Sequence, residues 1–273
     1  MIEYRLFEAG YCSHCERMTR SNGPFKKSKY PALCALIKHP EQGYILFDTG
    51  YSDRFFQLTK KFPFSLYSRL TPVVLKHSLK EQLIQNNIPP EEIKYIVISH
   101  FHADHIGGII DFPNARFICH PSAIEDVRNK KGIRALMQGF LPKLLPEDFY
   151  QRVIMLETET SLPVSLRPFV SGFDLFGDGQ LIAISLPGHA KGQIGLYFQS
   201  KNETFLIADS CWHQETYKNL VFPSELTYLI HHNKKEYLQT IRSLNALSTH
   251  NKEIDIIPSH CKIISETLEG NAR

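Results

Sequence analysis

Four side chains of the kinds that bind metal ions lie within six residues in the middle of the chain. They are His100, His102, Asp104 and His105, and they directly follow an apolar run. His100 and His102 are two residues apart, so both point to the same side of an extended segment. Imidazole and carboxylate are ligands of zinc, and also of iron or manganese. This spacing therefore predicts a metal site at the end of a strand.

Three more residues of these kinds occupy similar places later in the chain. His189, Asp209 and His260 each come one to three residues after an apolar run. Taken singly, such a histidine can simply hydrogen-bond a carbonyl group, and such an aspartate can cap a helix. Ligands of layered α/β proteins gather where strand ends meet at one sheet edge. Because four other ligand-type residues lie together earlier in the chain, one metal centre shared by all seven is favoured over these single roles.

The elements that must position these residues belong to an α/β protein. Short runs rich in β-branched and aromatic residues predict strands, and capping boxes predict helix starts between them. Strands alternating with helices indicate sheets covered by helices. The predicted strands are 44–47, 95–98, 116–119, 181–186, 194–198, 204–208 and 254–257. The predicted helix starts pair Ser78 with Glu81, Ser122 with Glu125, and Asn233 with Glu236.

Two segments, 51–77 and 129–180, lack a clear pattern and carry Pro, Phe and Tyr among charged residues. They are interpreted either as long loops with some helix packed onto the core or as a lid over a site. No linker or repeat is visible, so we expect a single domain over 1–273. Cys12 and Cys15 have CxxC spacing, but without a second pair an N-terminal loop is favoured over a metal or redox site.

Composition and charge exclude several classes of protein. The chain has 273 residues, of which 42% are hydrophobic and 22% charged, and it contains 13 His. This is ordinary globular composition rather than that of a disordered or fibrous protein. A net charge of +3 gives no electrostatic reason to expect nucleic acid or membrane as a partner. The N-terminus carries charges, no long apolar stretch is present and the cysteines are scattered. These features predict a soluble cytoplasmic protein. We expect its partner to be a small-molecule substrate.

The order of these motifs resembles that of the metallo-β-lactamase superfamily of metal-dependent hydrolases, from about residue 4 to 262. The shared motifs are Asp48-Thr49-Gly50, His100-x-His102-x-Asp104-His105, Pro187-Gly188-His189, Asp209 and His260. The resemblance implies an αββα sandwich of two mixed β-sheets with helices on the outer faces, and a dinuclear site between the sheet edges. It implies one metal on His100, His102 and His189, a second on Asp104, His105 and His260, Asp209 as the bridge, and Asp48 as a support that is not itself a ligand.

Within that superfamily the chain is similar to the N-acyl homoserine lactone lactonases, in its opening segment 6–10 and in its motif order. Those lactonases carry a tyrosine three residues after the bridging aspartate, which helps to hold the lactone carbonyl. Trp212 occupies this position here, and Tyr217 is nearby in sequence. Phe101 and Trp212 lie in or beside ligand motifs, and they are interpreted as apolar walls for a substrate or as ordinary packing residues.

The resemblance implies a hydrolase with two divalent metal ions, expected to be zinc, with iron or manganese as alternatives. A hydroxide shared by the metals would attack an ester or lactone carbonyl, and Asp104 would carry a proton to the leaving oxygen. The alternative functions are a thioesterase of the glyoxalase II kind, a phosphodiesterase or a sulfatase. A non-catalytic metal-binding protein is a less favoured alternative. Apolar residues flank the ligands and Lys191 is the one cation near them in sequence, so we expect a neutral, apolar ester.

Overall fold

The computed structural model describes residues 1–157 and 161–271. The strands are β1 Glu3–Cys15, β2 Lys27–His39, β3 Gly43–Phe47, β4 Val73–Val74, β5 Ile93–Val97, β6 Arg116–Cys119, β7 Val153–Met155, β8 Leu162–Leu166, β9 Phe169–Asp174, β10 Leu181–Ser185, β11 Ile194–Gln199, β12 Glu203–Ala208 and β13 Asp255–Pro258. The helices are α1 Glu16–Thr19, α2 Asp53–Leu58, α3 Ser65–Leu70, α4 Leu79–Gln85, α5 Ala103–Ile106, α6 Pro121–Val127, α7 Gly132–Leu136, α8 Phe149–Arg152, α9 Gln214–Asn219, α10 Lys234–His250 and α11 Lys262–Asn271.

The strands form two mixed sheets. The first has the order β4-β1-β2-β3-β5-β6-β7, and the second has the order β13-β12-β11-β10-β9-β8. In the first sheet β1, β2 and β3 pair antiparallel, whereas β3, β5, β6 and β7 pair parallel. In the second sheet β12 and β13 are parallel and the other neighbours antiparallel. The ends of β5 and β12, after which predicted ligands follow, therefore belong to different sheets.

Three apolar clusters hold these layers together. The central cluster joins side chains of both sheets, for example Ile37 and Phe47 of the first with Leu196 and Leu206 of the second. A second cluster packs the other face of the first sheet against helices that include α4 and α6. A third packs the other face of the second sheet against α10. The structure confirms the predicted αββα sandwich, while a single domain over 1–273 stays a prediction.

The seven predicted strands are confirmed, with ends that differ by one or two residues. The long β1–β2 hairpin was not predicted, because charged residues interrupt its first strand. Cys12 and Cys15 accordingly lie on β1 rather than in the expected loop. Three residues apart on a strand, they point to opposite faces, which does not suit a shared metal or disulfide.

Two of the three predicted helix starts are confirmed. Ser78 forms a reciprocal capping box with Glu81, and the Asn233 side chain accepts from the backbone N–H of Glu236. The prediction for Ser122 is wrong, because α6 begins at Pro121 and its cap is the side chain of His120. Proline suits the first helical position, since its missing N–H is not needed there.

Both segments without a clear pattern contain short helices, as one of the two interpretations expected, and they also contain strands that were not predicted. Segment 51–77 holds α2, α3 and β4, and segment 129–180 holds α7, α8, β7, β8 and β9. Residues 158–160 of the second segment lie outside the described residues. Both segments contribute side chains to a cavity beside the predicted ligands.

A tight turn after β10 fixes the loop that carries His189 against α10. Gly188 has φ of +127°, and a Cβ there would lie 2.1 Å from the backbone nitrogen of Tyr237. The Thr240 hydroxyl donates to the Pro187 carbonyl at 2.7 Å, and the Asn233 N–H donates to the Gly188 carbonyl at 2.9 Å. Only glycine allows this close approach of loop and helix.

We expect Gly188→Ala to lower the free energy of unfolding by about 3 kcal/mol or more, because backbone strain adds to a clash with α10. Gly177→Ala is the matched control, since Gly177 also has positive φ (+78°) but open space around the added Cβ. The control should lose only about 1 kcal/mol. Denaturant unfolding of both variants measures the difference, and equal losses would contradict the proposed close approach.

Candidate metal centre

The predicted ligands meet where loops from the two sheets converge. His100 and His102 lie in the loop after β5, and the short helix α5 carries Asp104 and His105. The other three follow strands of the second sheet. They are His189 after β10, Asp209 after β12 and His260 after β13.

Side chains of these residues fall into two groups, each with ligand atoms within 4.8 Å of one another. The members of the first group are His100, His102, His189 and Asp209, and those of the second are Asp104, His105 and His260. All but His102 are buried. A cluster of this composition, imidazoles with carboxylates around a small volume, suits divalent transition metals.

Asp209 lies between the two groups. Its Oδ2 is 3.4 Å from His189 Nε2 in the first group and 3.1 Å from His260 Nε2 in the second. Its Oδ1 is 3.2 Å from His105 Nε2, also in the second group. One carboxylate thus faces nitrogen atoms of both groups.

Hydrogen bonds behind the ligands turn their Nε2 atoms inward. His260 Nδ1–H donates to the Pro31 carbonyl at 2.6 Å, and His105 Nδ1–H donates to Asp48 Oδ2 at 2.7 Å. Asp48 also accepts from the Ser99 backbone N–H at 2.8 Å and from its hydroxyl at 2.7 Å. Asp48 therefore holds the His105 ring and the loop that follows β5. Such partners fix the tautomer of metal-binding histidines.

Several buried polar atoms of this cluster have no hydrogen bond. His100 Nε2 is one, and His105 Nε2 and Asp209 Oδ1 face each other without hydrogen-bond geometry. Buried polar atoms are normally satisfied, so inward-facing atoms without partners need another kind of partner. A metal ion would satisfy them, and the residues present fit such a group.

Charge interactions inside the cluster shift its pKa values strongly. Burial alone would raise the pKa of Asp104, but His105 and His260 outweigh it and hold this pKa at about 2. The same two histidines hold the pKa of Asp209 well below its usual value against the effect of burial. Burial alone would lower the pKa of His260, but the carboxylates of Asp209 and Asp104 outweigh this effect and raise the pKa to about 10. Bound cations would compete with these protons, because ligands must be deprotonated.

An apolar cavity of about 520 Å³ opens beside the cluster; we call it the apolar cavity. Leu66, Leu70, Met137, Leu226 and Ile230 supply aliphatic surface to it. Its floor includes four predicted ligands, which are His102, Asp104, His189 and Asp209.

The three predicted substrate contacts have different places. Trp212 lines the apolar cavity, and its indole N–H donates to Asp209 Oδ2 at 3.1 Å. Phe101 is buried in the core and lines a separate, smaller cavity. Tyr217 is buried in the third apolar cluster, and its hydroxyl donates to the Ile256 carbonyl at 3.2 Å. The structure therefore does not bring Tyr217 to the apolar cavity, because the helix α9 directs it into the core.

Sequence reasoning missed other residues at this site. Cys12 and His14 reach the apolar cavity from β1, and Tyr67 reaches it from α3. His231 also lines the apolar cavity, and the centroid of its ring lies 5.0 Å from that of His189. The alternation of charged Glu3 and Arg5 with apolar Tyr4 and Leu6 was the sequence signal that could have indicated a strand leading to Cys12.

Comparison with known proteins identifies the family. A model described as the metallo-beta-lactamase superfamily matches residues 29–208, more than half of the chain. The chain belongs to the metallo-β-lactamase superfamily. The two groups of predicted ligands at the sheet edges fall where the superfamily resemblance implies a metal site.

Relatives of this superfamily member include lactonases. It is 25% identical over 250 residues to the N-acyl homoserine lactonase AttM of Agrobacterium fabrum, covering 89% of this chain and 84% of that protein. It is 26% identical over 182 residues to the lactonase AttM of Rhizobium radiobacter, covering 64% of this chain but only 60% of that protein. These matches support a metal-dependent hydrolase, and the enzyme class predicted from the sequence is confirmed.

A solved structure shares the fold of this superfamily member. It is an N-acyl homoserine lactone hydrolase with the product N-hexanoyl-L-homoserine bound at the catalytic metal centre. The TM-score is 0.70 at 19% identity, over 97% of this chain and 95% of that one. Within the described residues, no helix of the chain is long and apolar enough to cross a bilayer.

We expect Asp48→Asn to weaken metal binding about 10- to 100-fold, because His105 loses the carboxylate that orients it. Asp178→Asn is the matched control, since Asp178 Oδ2 pairs with another buried histidine, His39, at 2.9 Å outside both ligand groups. Competition with a coloured chelator measures metal affinity in both variants. An unchanged affinity in Asp48→Asn would refute the orienting role.

Proposed function

We propose that the chain is a dinuclear metal-dependent hydrolase of esters or lactones, similar in activity to the N-acyl homoserine lactonases. The observation that carries this proposal is the position of Asp209 between two ligand groups, at the floor of an apolar cavity. A carboxylate so placed suits a bridge between two cations. We also propose a cytoplasmic location and a small-molecule substrate, as expected from the sequence.

His100, His102 and His189 would hold one metal, Asp104, His105 and His260 the other, and Asp209 both. Two divalent ions, zinc in our proposal, would supply a nucleophile at neutral pH and Lewis-acid stabilisation of a developing oxyanion. Iron or manganese would suit the same nitrogen and oxygen ligands.

Asp104 is the residue that we assign to proton transfer. It lies at the floor of the apolar cavity, where a substrate would be held, and its Oδ2 is 3.3 Å from His260 Nε2. The neighbouring histidines His105 and His260 hold its pKa at about 2, so its carboxylate is ionised at neutral pH. In the proposed reaction the Asp104 carboxylate accepts the proton of the attacking water and passes it to the leaving oxygen.

The choice of ester or lactone rests on the cavity and on the relatives. Aliphatic walls favour an apolar substituent, with about 0.8 kcal/mol gained for each buried CH₂ group. The related AttM proteins are named as N-acyl homoserine lactonases. The indole N–H of Trp212 is engaged by Asp209. We therefore expect weaker discrimination among esters than a tyrosine hydroxyl would give.

We expect about two zinc ions per chain after reconstitution, because the ligands form two groups.

Asp209→Ala should lose both metals and all activity, since its carboxylate faces both groups. Asp104→Asn should retain at least one metal while kcat falls about 10²-fold or more. Elemental analysis and kinetics of the three proteins test this. A wild-type content below about 0.3 metal per chain, or a normal kcat in Asp104→Asn, would overturn the corresponding assignment.

The substrate class is tested by comparing kcat/KM on N-hexanoyl homoserine lactone, an aryl ester, a thioester and bis(p-nitrophenyl) phosphate. We expect the lactone or the ester to be preferred, because aliphatic side chains dominate the apolar cavity. Zinc-loaded Asp104→Asn supplies the background rate. A preference of more than about tenfold for the thioester or the phosphodiester, or ~1.4 kcal/mol of transition-state stabilisation, would contradict this choice. It would favour a thioesterase or a phosphodiesterase instead.

A further inference from the structure

A second cavity, of about 410 Å³, adjoins the apolar cavity; we call it the cationic cavity. His102, His189 and His231 line both cavities, as do Met137, Gln138 and Ile230. Because His102 and His189 belong to the first ligand group, the two cavities meet at the metal centre. A substrate held at that centre can therefore extend into both.

The cationic cavity differs from its neighbour in charge. Lys130, Arg134 and Lys191 line it, against one carboxylate, that of Asp126. Lys130 Nζ lies 2.8 Å from Asp126 Oδ1, so these two charges offset each other. Within the described residues, neither Arg134 nor Lys191 has an ion-pair partner. The cavity thus offers two cations whose charge is not neutralised locally.

The sequence around the ligand motifs does not reveal that these three cations lie in one cavity. Lys191 follows His189 closely in sequence, whereas Lys130 and Arg134 come from the end of α6 and from α7. The packing of α6 and α7 beside the His189 loop brings the three together. The expectation of a wholly apolar, neutral substrate considered Lys191 alone, and the structure adds two cations to it.

We propose that the cationic cavity is a subsite for an oxyanion, such as a carboxylate, carried by the substrate. The substrate would then be an amphiphilic ester or lactone, with its apolar part in the apolar cavity, its reacting carbonyl at the ligand groups and its anionic group beside Arg134 and Lys191. This inference rests on the proposed hydrolase function. Guanidinium and ammonium groups are the usual partners of carboxylates, by charge-assisted hydrogen bonds.

The strength of such a subsite depends on its exposure. Arg134 is exposed and Lys191 half-buried. The attraction is therefore screened by salt, as for other charges near the surface. The subsite accordingly acts as a selector between anionic and neutral substrates, and its selectivity should decrease at high ionic strength.

The kinetic test uses two matched pairs of esters with the zinc-loaded enzyme. Phenyl butyrate and 3-carboxyphenyl butyrate differ by a carboxylate on the alcohol side, and phenyl hexanoate and monophenyl adipate by one on the acyl side. In at least one pair we expect kcat/KM to favour the anionic ester by about fivefold or more at low salt. The double variant Arg134→Gln/Lys191→Gln should lower that ratio about fivefold.

Two control proteins accompany the double variant. Lys201→Gln removes an exposed cation at the β11–β12 turn, outside both cavities, and should leave the ratio unchanged. The charge-conserving swap Arg134→Lys/Lys191→Arg should keep most of the preference. Wild-type ratios at or below one in both pairs, or a ratio that the double variant does not lower, would overturn the inference.

A binding measurement separates this inference from the proposed function. The probe is 3-butoxybenzenesulfonate, an ether that cannot be hydrolysed and whose sulfonate is a weak metal ligand. Calorimetry should show about fivefold weaker binding to the double variant than to the wild type. If no ester or lactone is hydrolysed but this difference is found, the subsite stands and the proposed function fails. If esters are hydrolysed but binding is equal, the subsite is refuted.

Discussion

The site depends on the burial of two carboxylates, Asp104 and Asp209, which are 8% and 2% exposed. Removing a carboxylate from water is costly unless a positive group compensates it. The surrounding imidazoles can supply that charge only by taking up protons, as the raised pKa of His260 shows. Cations held between the groups would compensate the carboxylates and leave the imidazoles neutral. Metal binding and the ordering of the ligand loops are therefore expected to be coupled.

The two sheets hold the ligand loops through backbone hydrogen bonds that cross between them. The N–H of Ile194, on the second sheet, donates to the Ser99 carbonyl beside His100 at 3.1 Å. The N–H of Leu33, on the first sheet, donates to the Ser259 carbonyl beside His260 at 2.9 Å. Each bond ties the loop of one sheet to a strand of the other. The spacing of the ligand groups consequently depends on the packing of the central apolar cluster.

Sequence predicted most of the residues that meet in the candidate metal centre because their signals are local. Four ligands lie within a few residues, and the other three end apolar runs whose strand character is clear. The β1–β2 hairpin was missed because the charged residues Glu3, Arg5 and Glu8 break the apolar run of its first strand. The position of Tyr217 could not be predicted either, since the direction of α9 decides it. The cationic cavity is lined by residues more than fifty positions apart in sequence, such as Arg134 and Lys191, whose proximity no local pattern reveals.

Trp212 connects the metal centre with the wall of the apolar cavity. Its ring centroid lies 4.3 Å from that of His260 and 5.0 Å from that of Tyr30. Behind it, the Tyr30 hydroxyl is held by Thr19 Oγ1 at 2.6 Å. With its one N–H engaged by Asp209, the indole offers a substrate shape and apolar area rather than a hydrogen bond. Trp212 has no hydroxyl that could hold the carbonyl of a substrate. Substrate selectivity would then depend on how the apolar and charged parts of a substrate fit the apolar cavity and the cationic cavity.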